Sequence, residues 1–173
     1  MRRFLMAMVF AIVLTGCSRI PGLPFEDGLD KMNESFESDI QIQSGELYAA
    51  ARLIRVPEGF TMTFTHPDTL RGMEMVMAEG GLDIRYRGLD FTFSSAMAPR
   101  GSIPRLTSNV ISSLLQREGI TSRDLGDNTL LADGRIGADA FTAKLDNQTG
   151  AIIKLSIPSR NLEISFDNFM FIE

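Results

Sequence analysis

Phe60-Thr61-Met62-Thr63-Phe64-Thr65-His66-Pro67 decides the fold. Large apolar side chains alternate with threonines until a proline ends the run, the pattern of an extended strand with one face buried and the other in water. Reading outward, Ile40 and Ile42 alternate with Asp39, Gln41 and Gln43, and Leu47, Ala49, Ala51 and Leu53 line one side of the next stretch. Met73, Met75 and Met77 stand opposite Glu74; Leu82, Ile84 and Tyr86 stand opposite Asp83, Arg85 and Arg87; Phe91 and Phe93 follow Gly88. The alternation returns at Phe141, Ala143 and Leu145, at Ile153, Leu155 and Ile157, and at Leu162, Ile164 and Phe166. Roughly nine or ten strands result. They are separated by turn-forming stretches at Pro57-Glu58-Gly59, Glu79-Gly80-Gly81, Asp133-Gly134, Asp146 to Gly150 and Pro158-Ser159. Links this short make consecutive strands neighbours, so the chain reads as a long antiparallel meander.

One segment breaks the alternation. From Ile103 or Pro104 to Glu118, the residues Ile103, Leu106, Val110 and Leu114, flanked by Ile111 and Leu115, recur at helical spacing. Ser102 stands where a helix is capped, Pro104 suits the first turn, and Gly119 suits the end. A weaker helical pattern covers Gly28 to Phe36, with Leu29, Met32 and Phe36 roughly on one side. A one-sided sheet and an apolar helical stripe satisfy each other. The expected fold class is therefore α+β: a large curved antiparallel sheet, or half-barrel, covered on its concave face by one or two helices.

The first residues read differently. Arg2 and Arg3 precede an apolar run from Phe4 to Leu14, too short to span a bilayer comfortably, followed by Leu14-Thr15-Gly16-Cys17. Apolar, small, small, cysteine resembles the lipobox of bacterial lipoproteins. That resemblance implies a signal peptide at 1–16, acylation of Cys17 on sulfur and amine by palmitate-type chains, and anchoring of an extracytoplasmic protein to the bacterial membrane. Two or three acyl chains hold stably where one does not. Residues 17–31 then form a lipidated tether, broken by Pro21, Gly22, Pro24 and Gly28, with a reach of roughly 45 to 50 Å. Residues 32–173 are left for the folded domain.

Composition narrows the function. The chain carries 17 basic and 22 acidic residues, and loss of 1–16 removes two arginines and no acid, taking the net charge from −5 to −7. Nucleic acid is not expected as a partner, because binding to it leans on clustered basic side chains. Cys17 is the only cysteine, so no internal disulfide forms. His66, the only histidine, sits before Pro67 at a strand end and reads as a surface residue rather than a base or a metal ligand. Asp124, Asp127, Asn128 and Asp133 lack the spacing of a calcium loop and read as a solvated turn. No catalytic residue, metal site or cofactor is expected, and the protein reads as a non-enzyme. Arg85 and Arg87, opposite Ile84 and Tyr86, read as an outer face bridged to Glu74, Asp83 or Asp90.

The stretch Phe60 to Pro67, followed by Leu70 and Gly72 and then by Gly81-Leu82-Asp83-Ile84-Arg85-Tyr86-Arg87-Gly88-Leu89, resembles the LolA/LolB-type lipoprotein-carrier superfamily. The chain has no tryptophan, where that family's signature is tryptophan-rich. The resemblance implies a concave sheet whose interior holds acyl chains. The candidate lining residues are Phe60, Met62, Phe64, Met73, Met75, Met77, Ile84, Tyr86, Phe91 and Phe93 on the sheet, with Leu106 and Val110 on the helix. A methionine-rich wall adapts to apolar ligands of varied shape. Two functions stand side by side. One is a membrane-anchored protein that binds or transfers a lipid, an acylated protein or another apolar ligand, with the helix as a lid. The other is a non-catalytic structural or interaction lipoprotein of the cell envelope, with a packed core and no ligand. Oligomeric state is open.

Overall fold

The computed structural model describes residues 34–78 and 80–172. The expected signal peptide, Cys17 and the tether at 17–31 lie outside them. The described chain runs β1 (Ser35–Ser44), β2 (Leu47–Val56), β3 (Gly59–His66), β4 (Glu74–Ala78), β5 (Gly81–Tyr86), β6 (Leu89–Ser94), α1 (Ile103–Gln116), β7 (Thr121–Gly126), β8 (Thr129–Ile136), β9 (Asp139–Asp146), β10 (Ile152–Ile157), a 3-10 turn (Pro158–Arg160) and β11 (Leu162–Ile172). All eleven strands form one antiparallel sheet in the order β6-β5-β4-β3-β2-β1-β11-β10-β9-β8-β7. Every neighbour is a sequence neighbour except β1 and β11. That pair joins two meanders, with Ile40 opposite Phe166 and Ile42 opposite Ile164.

The alternation read from the sequence is the alternation of burial except at two strand starts: Leu47 is 43% exposed, and a register shift between Ile152 and Lys154 buries Ile152 and leaves Ile153, the expected inward residue, 36% exposed. Ile40, Ile42, Ala49, Ala51, Leu53, Phe60, Met62 and Phe64 face inward, as do Phe141, Ala143, Leu145, Leu155, Ile157, Leu162, Ile164 and Phe166. In β11 the phase changes. A bulge opposite Ser38, with Asn168 at φ 52°, adds a residue. Phe169 and Phe171 are thereby turned onto the core, and Phe169 stacks on Phe36 at 4.6 Å. The buried Ser38 hydroxyl donates to the Asp167 carbonyl at 2.7 Å and satisfies the disturbed ladder.

α1 lies across the concave face, burying Leu106, Val110, Ile111 and Leu114 at about 1.5–3 kcal/mol each. It touches β3 and β4 on one side and β8 on the other. Seven strand spacings separate β4 from β8, about 34 Å in a flat sheet, whereas a 14-residue helix is about 21 Å long. A curved sheet brings both halves onto the helix. Among the described residues it remains open, with β6 and β7 as its edges.

Several local expectations are corrected. Eleven strands replace nine or ten, because β7 and β8 show no clean alternation. β7 is nearly all exposed and polar, and the adjacent leucines Leu130 and Leu131 hide the period of β8. Asp133-Gly134 is strand, not turn. Gly134 faces Phe141 across the ladder, and a β-carbon there would come within 2.6 Å of the Phe141 ring and 2.5 Å of Ile120. The glycine makes room for an aromatic. Arg85 pairs with Glu74 across the outer face at 2.8 Å as expected. Arg87 leaves that face: with Gly88 it forms the β5–β6 turn at φ 51° and 79°, the two-residue hairpin that needs left-handed backbone, and it lies 4.9 Å from the Tyr86 ring centroid. The weak helix expected over 28–36 fails in its described part, since Ser35 and Phe36 begin β1. Ser102 holds the N-cap position of α1 without a side-chain capping bond, and Arg117, at φ 57°, ends the helix before Gly119 is reached.

Replacing Gly134 by valine is expected to destabilise the domain by about 1–3 kcal/mol through overpacking against Phe141. Phe141→Leu in the same chain should recover part of that loss, as read from urea unfolding midpoints.

Candidate functional site

Cross-strand register assembles the candidate lining residues into rows. Phe93, Leu82, Met77 and Phe60 lie side by side across β6, β5, β4 and β3. Phe91, Ile84, Met75 and Met62 form the next row. Residues directly opposite in an antiparallel pair share a face, so both rows belong to the inward face. Exposure rises along the second row: Met62 is wholly buried, Met75 and Ile84 are half-buried, and Phe91 is 50% exposed. Beside Phe91, Leu89 is 58% exposed and lies opposite Tyr86. The Tyr86 hydroxyl donates to the Thr69 carbonyl, which fixes the ring at the end of this strip.

The helix accounts for the gradient. Leu106 and Val110 pack into the core together with Phe60, Met62 and Phe64, where they are at most 4% exposed. Those residues form a closed centre. Met73, Met75, Ile84 and Phe93 pack half-buried against that centre, Tyr86 is half-buried beside them, and Phe91 is exposed, so an apolar trough along β4 to β6 opens toward its outer end, with Met77 at the boundary. Leu89 belongs to the trough and is absent from the sequence-derived set, although the alternation Leu89, Phe91, Phe93 contains it.

Two grooves flank α1. One, of about 340 Å³, has Phe60, Met77, Ala98 and Ile111 on its apolar side and Arg55, Glu58, Arg105 and Asn109 on its polar side. Arg55 donates to the Glu34 carbonyl at 3.0 Å, so the chain enters the described domain beside this groove. The other, of about 590 Å³, lies between α1 and the β8–β9 turn and is lined by Arg100, Arg105, Arg135 and Arg160, with Asp139 as its acid. Arg105 donates to the carbonyls of Ser95 and Ala98, tying the loop before α1 to the helix. Arg135 donates to the Ala138 carbonyl at 2.8 Å. None of these arginines belongs to the sequence-derived set. The signal that points to Arg100 and Arg105 is the absence of any acid between Asp90 and Glu118 in a chain rich in acids.

His66 is exposed, with its ring 5.6 Å from that of Tyr48. Asp124 accepts from the Gly126 N–H in β7, Asp127 and Asn128 form the β7–β8 turn, and Asp133 accepts from the Thr142 hydroxyl. Among the described residues no group of three or more His, Cys, Asp or Glu side chains could hold a metal ion. No described helix is long and apolar enough to cross a membrane.

No protein-family model and no curated protein matches the sequence. Solved structures do match in fold. An uncharacterised conserved protein from Thermus thermophilus aligns with a TM-score of 0.55 and 10% identity, over 84% of this chain and 83% of that one. MucB aligns with a TM-score of 0.50 and 12% identity, over 86% of this chain; the match spans 59% of MucB. A LolA superfamily protein from Nitrosomonas europaea aligns more loosely, with a TM-score of 0.43 and 10% identity over 87% and 94% of the two chains. At these identities the likeness is one of fold.

Among the described residues, two carboxylates are held below their ordinary range. Asp139 accepts from the Ser159 hydroxyl at 2.6 Å and from Arg160, and these bonds favour its charged form. Asp146 is lowered first by the Thr149 backbone N–H, at 2.7 Å, in the β9–β10 turn. A carboxylate lowered on folding adds stability above its unfolded pKa, about 4, and loses it as pH falls through the folded value. The protein is therefore expected to lose stability progressively below about pH 4. Asp139→Asn should be less stable at pH 7 with a shallower fall toward pH 3, checked by denaturant midpoints at both values.

Proposed function

We propose that this protein is a bacterial lipoprotein whose half-barrel binds or transfers a lipid, an acylated protein or another apolar ligand outside the cytoplasm, without catalysis. In this reading residues 1–16 direct export, Cys17 is acylated, residues 17–31 form the tether and 32–173 form the binding domain. The observation that carries the ligand reading is the trough: a register-matched apolar surface that begins in the closed core at Met62 and ends uncovered at Phe91. Single exposed apolar residues are ordinary, whereas a continuous concave strip of them marks an interaction surface. Met73 and Met75 give it an adaptable floor, and Tyr86 and Phe93 give it flat walls. An acyl chain laid along it gains about 25 cal/mol per Å² of apolar surface removed from water. The residues under α1 join the site only if the helix moves, since Leu106 and Val110 are packed there.

That packed centre favours a second reading, a structural or interaction lipoprotein whose edge or outer face recruits an envelope protein. β6 supports it to the extent that its edge is unpaired among the described residues.

Phe91→Asp places a charge at the exposed end of the trough, outside the packed core. The variant is expected to fold with an unchanged unfolding midpoint and to bind a fluorescent fatty acid about tenfold more weakly. Equal uptake by parent and variant, with no lipid in the native mass spectrum of the purified full chain, would leave the second reading. Cys17→Ser tests the acylation separately: the parent chain should carry the mass of acyl chains on Cys17 and the variant should not, as read by mass spectrometry.

A further inference from the structure

The concave side carries a charge pattern that the trough does not use. The chain is acidic overall, yet no acid occurs between Asp90 and Glu118, a stretch that holds most of β6, the loop before α1 and all of α1. The outward face of α1 presents Arg105, Asn109, Ser112 and Gln116. Across the larger groove stand Arg135 and Arg160, and at its rim Arg100. Arg160 is paired with Asp139 at 2.9 Å and Arg135 shares the field of that one carboxylate, whereas Arg100 and Arg105 have no ion pair in this groove among the described residues. Met97 is 72% exposed in the loop between β6 and Arg100. An apolar side chain beside arginines, with no acid near it in sequence, is the composition of a surface that rests at a lipid head-group boundary. Place in the chain supports the same orientation. Arg55 binds the Glu34 carbonyl, where the chain enters the described domain, and lines the groove on the other flank of the same helix face.

We propose that this side of the half-barrel, α1 outermost, lies on an anionic bilayer, with Arg100, Arg105 and Arg135 against lipid phosphates. The inference rests on the reading of the first 31 residues as an exported, membrane-held tether, and it deepens the proposed function. α1 and the open trough share the concave side, so a bilayer docked there faces Phe91 and Leu89, and an acyl chain can pass between membrane and protein without crossing water. The convex side, with Gln41, Arg52 and Asp167, points away from the membrane.

Full-length protein carrying Ser112→Cys on the helix face, or Gln41→Cys on the convex face, is labelled with a fluorophore. It is reconstituted on vesicles of phosphatidylcholine, with or without phosphatidylglycerol, containing head-group-quencher lipid. The unsubstituted chain supplies the background from Cys17 and reads its acylation separately; the apolar run Phe4 to Leu14 or the acyl chains hold the protein on the vesicle in either case. Quenching at 112 is expected to exceed quenching at 41 several-fold when phosphatidylglycerol is present. The difference should disappear in about 1 M salt, where screening reaches ~3 Å. Arg100→Ala and Arg135→Ala should each lower the ratio of docked to undocked protein about fivefold, the equivalent of ~1 kcal/mol per arginine near an anionic surface. Salt dependence supplies the test without substitution should a variant fold poorly. Equal quenching at the two positions, or no response to phosphatidylglycerol, overturns the proposal. So does thermal stabilisation by inorganic phosphate with no vesicle effect, which would assign the groove to a soluble anion. Fatty-acid uptake by the trough is a separate readout, so the two proposals fail separately.

Discussion

The pairing of the first described strand with the last is the constraint on which the rest of the structure depends. Every other contact in the ladder is a hairpin closed by a short turn, which can form locally. β1 with β11 is different: it brings together segments more than a hundred residues apart, Ile42 against Ile164 and Phe36 against Phe171. Without it the chain would be two separate meanders, each with an apolar face in water. With it the faces become one concavity, and the bulge at Asn168 directs Phe169 onto Phe36 where simple alternation would have turned it out. Such pairing carries a loop-closure cost that burial must offset, which places it late and slow in folding. α1 is the second bridge between the halves, since it touches β3 and β4 from one and β8 from the other.

Curvature follows from those two bridges, and the site follows from curvature. α1 lies within the curve and reaches both halves of the sheet. It covers only the middle of the concavity, and β4 to β6 continue past its cover. The result is one apolar surface in two states: shut at Met62 and Val110, open at Phe91 and Leu89. The same residue types serve as core or as exposed surface according to what lies above them.

Strands such as Phe60 to Phe64 and Leu162 to Phe166 are legible in the sequence because strict alternation and burial coincide. α1 is legible because its apolar stripe has helical spacing. β7 is not, because an exposed edge strand of Thr, Ser, Arg and Asp buries almost nothing and leaves no periodic signal. Gly134 misleads for a physical reason: glycine marks a turn when the backbone needs freedom and a strand when a neighbour needs room, and Phe141 decides between them from the adjacent strand. The candidate lining residues can be placed on one face, but periodicity carries no information about where a helix stops. Division of that face into packed core and open trough therefore appears only in three dimensions. The arginine-lined groove is hidden in the sequence because Arg100 and Arg105 meet Arg135 and Arg160 through folding, and the only trace in the chain is a lack of acids around the first two rather than a motif.

The two rims of the open sheet are kept from sticking by different means. β7 carries Arg123 and Asp124 on a short exposed strand, charges that make pairing with a stray strand unfavourable. β6 has Asp90 as its one charge beside Leu89, Phe91 and Phe93. That rim is therefore the one more open to zipping lip to lip with its own kind.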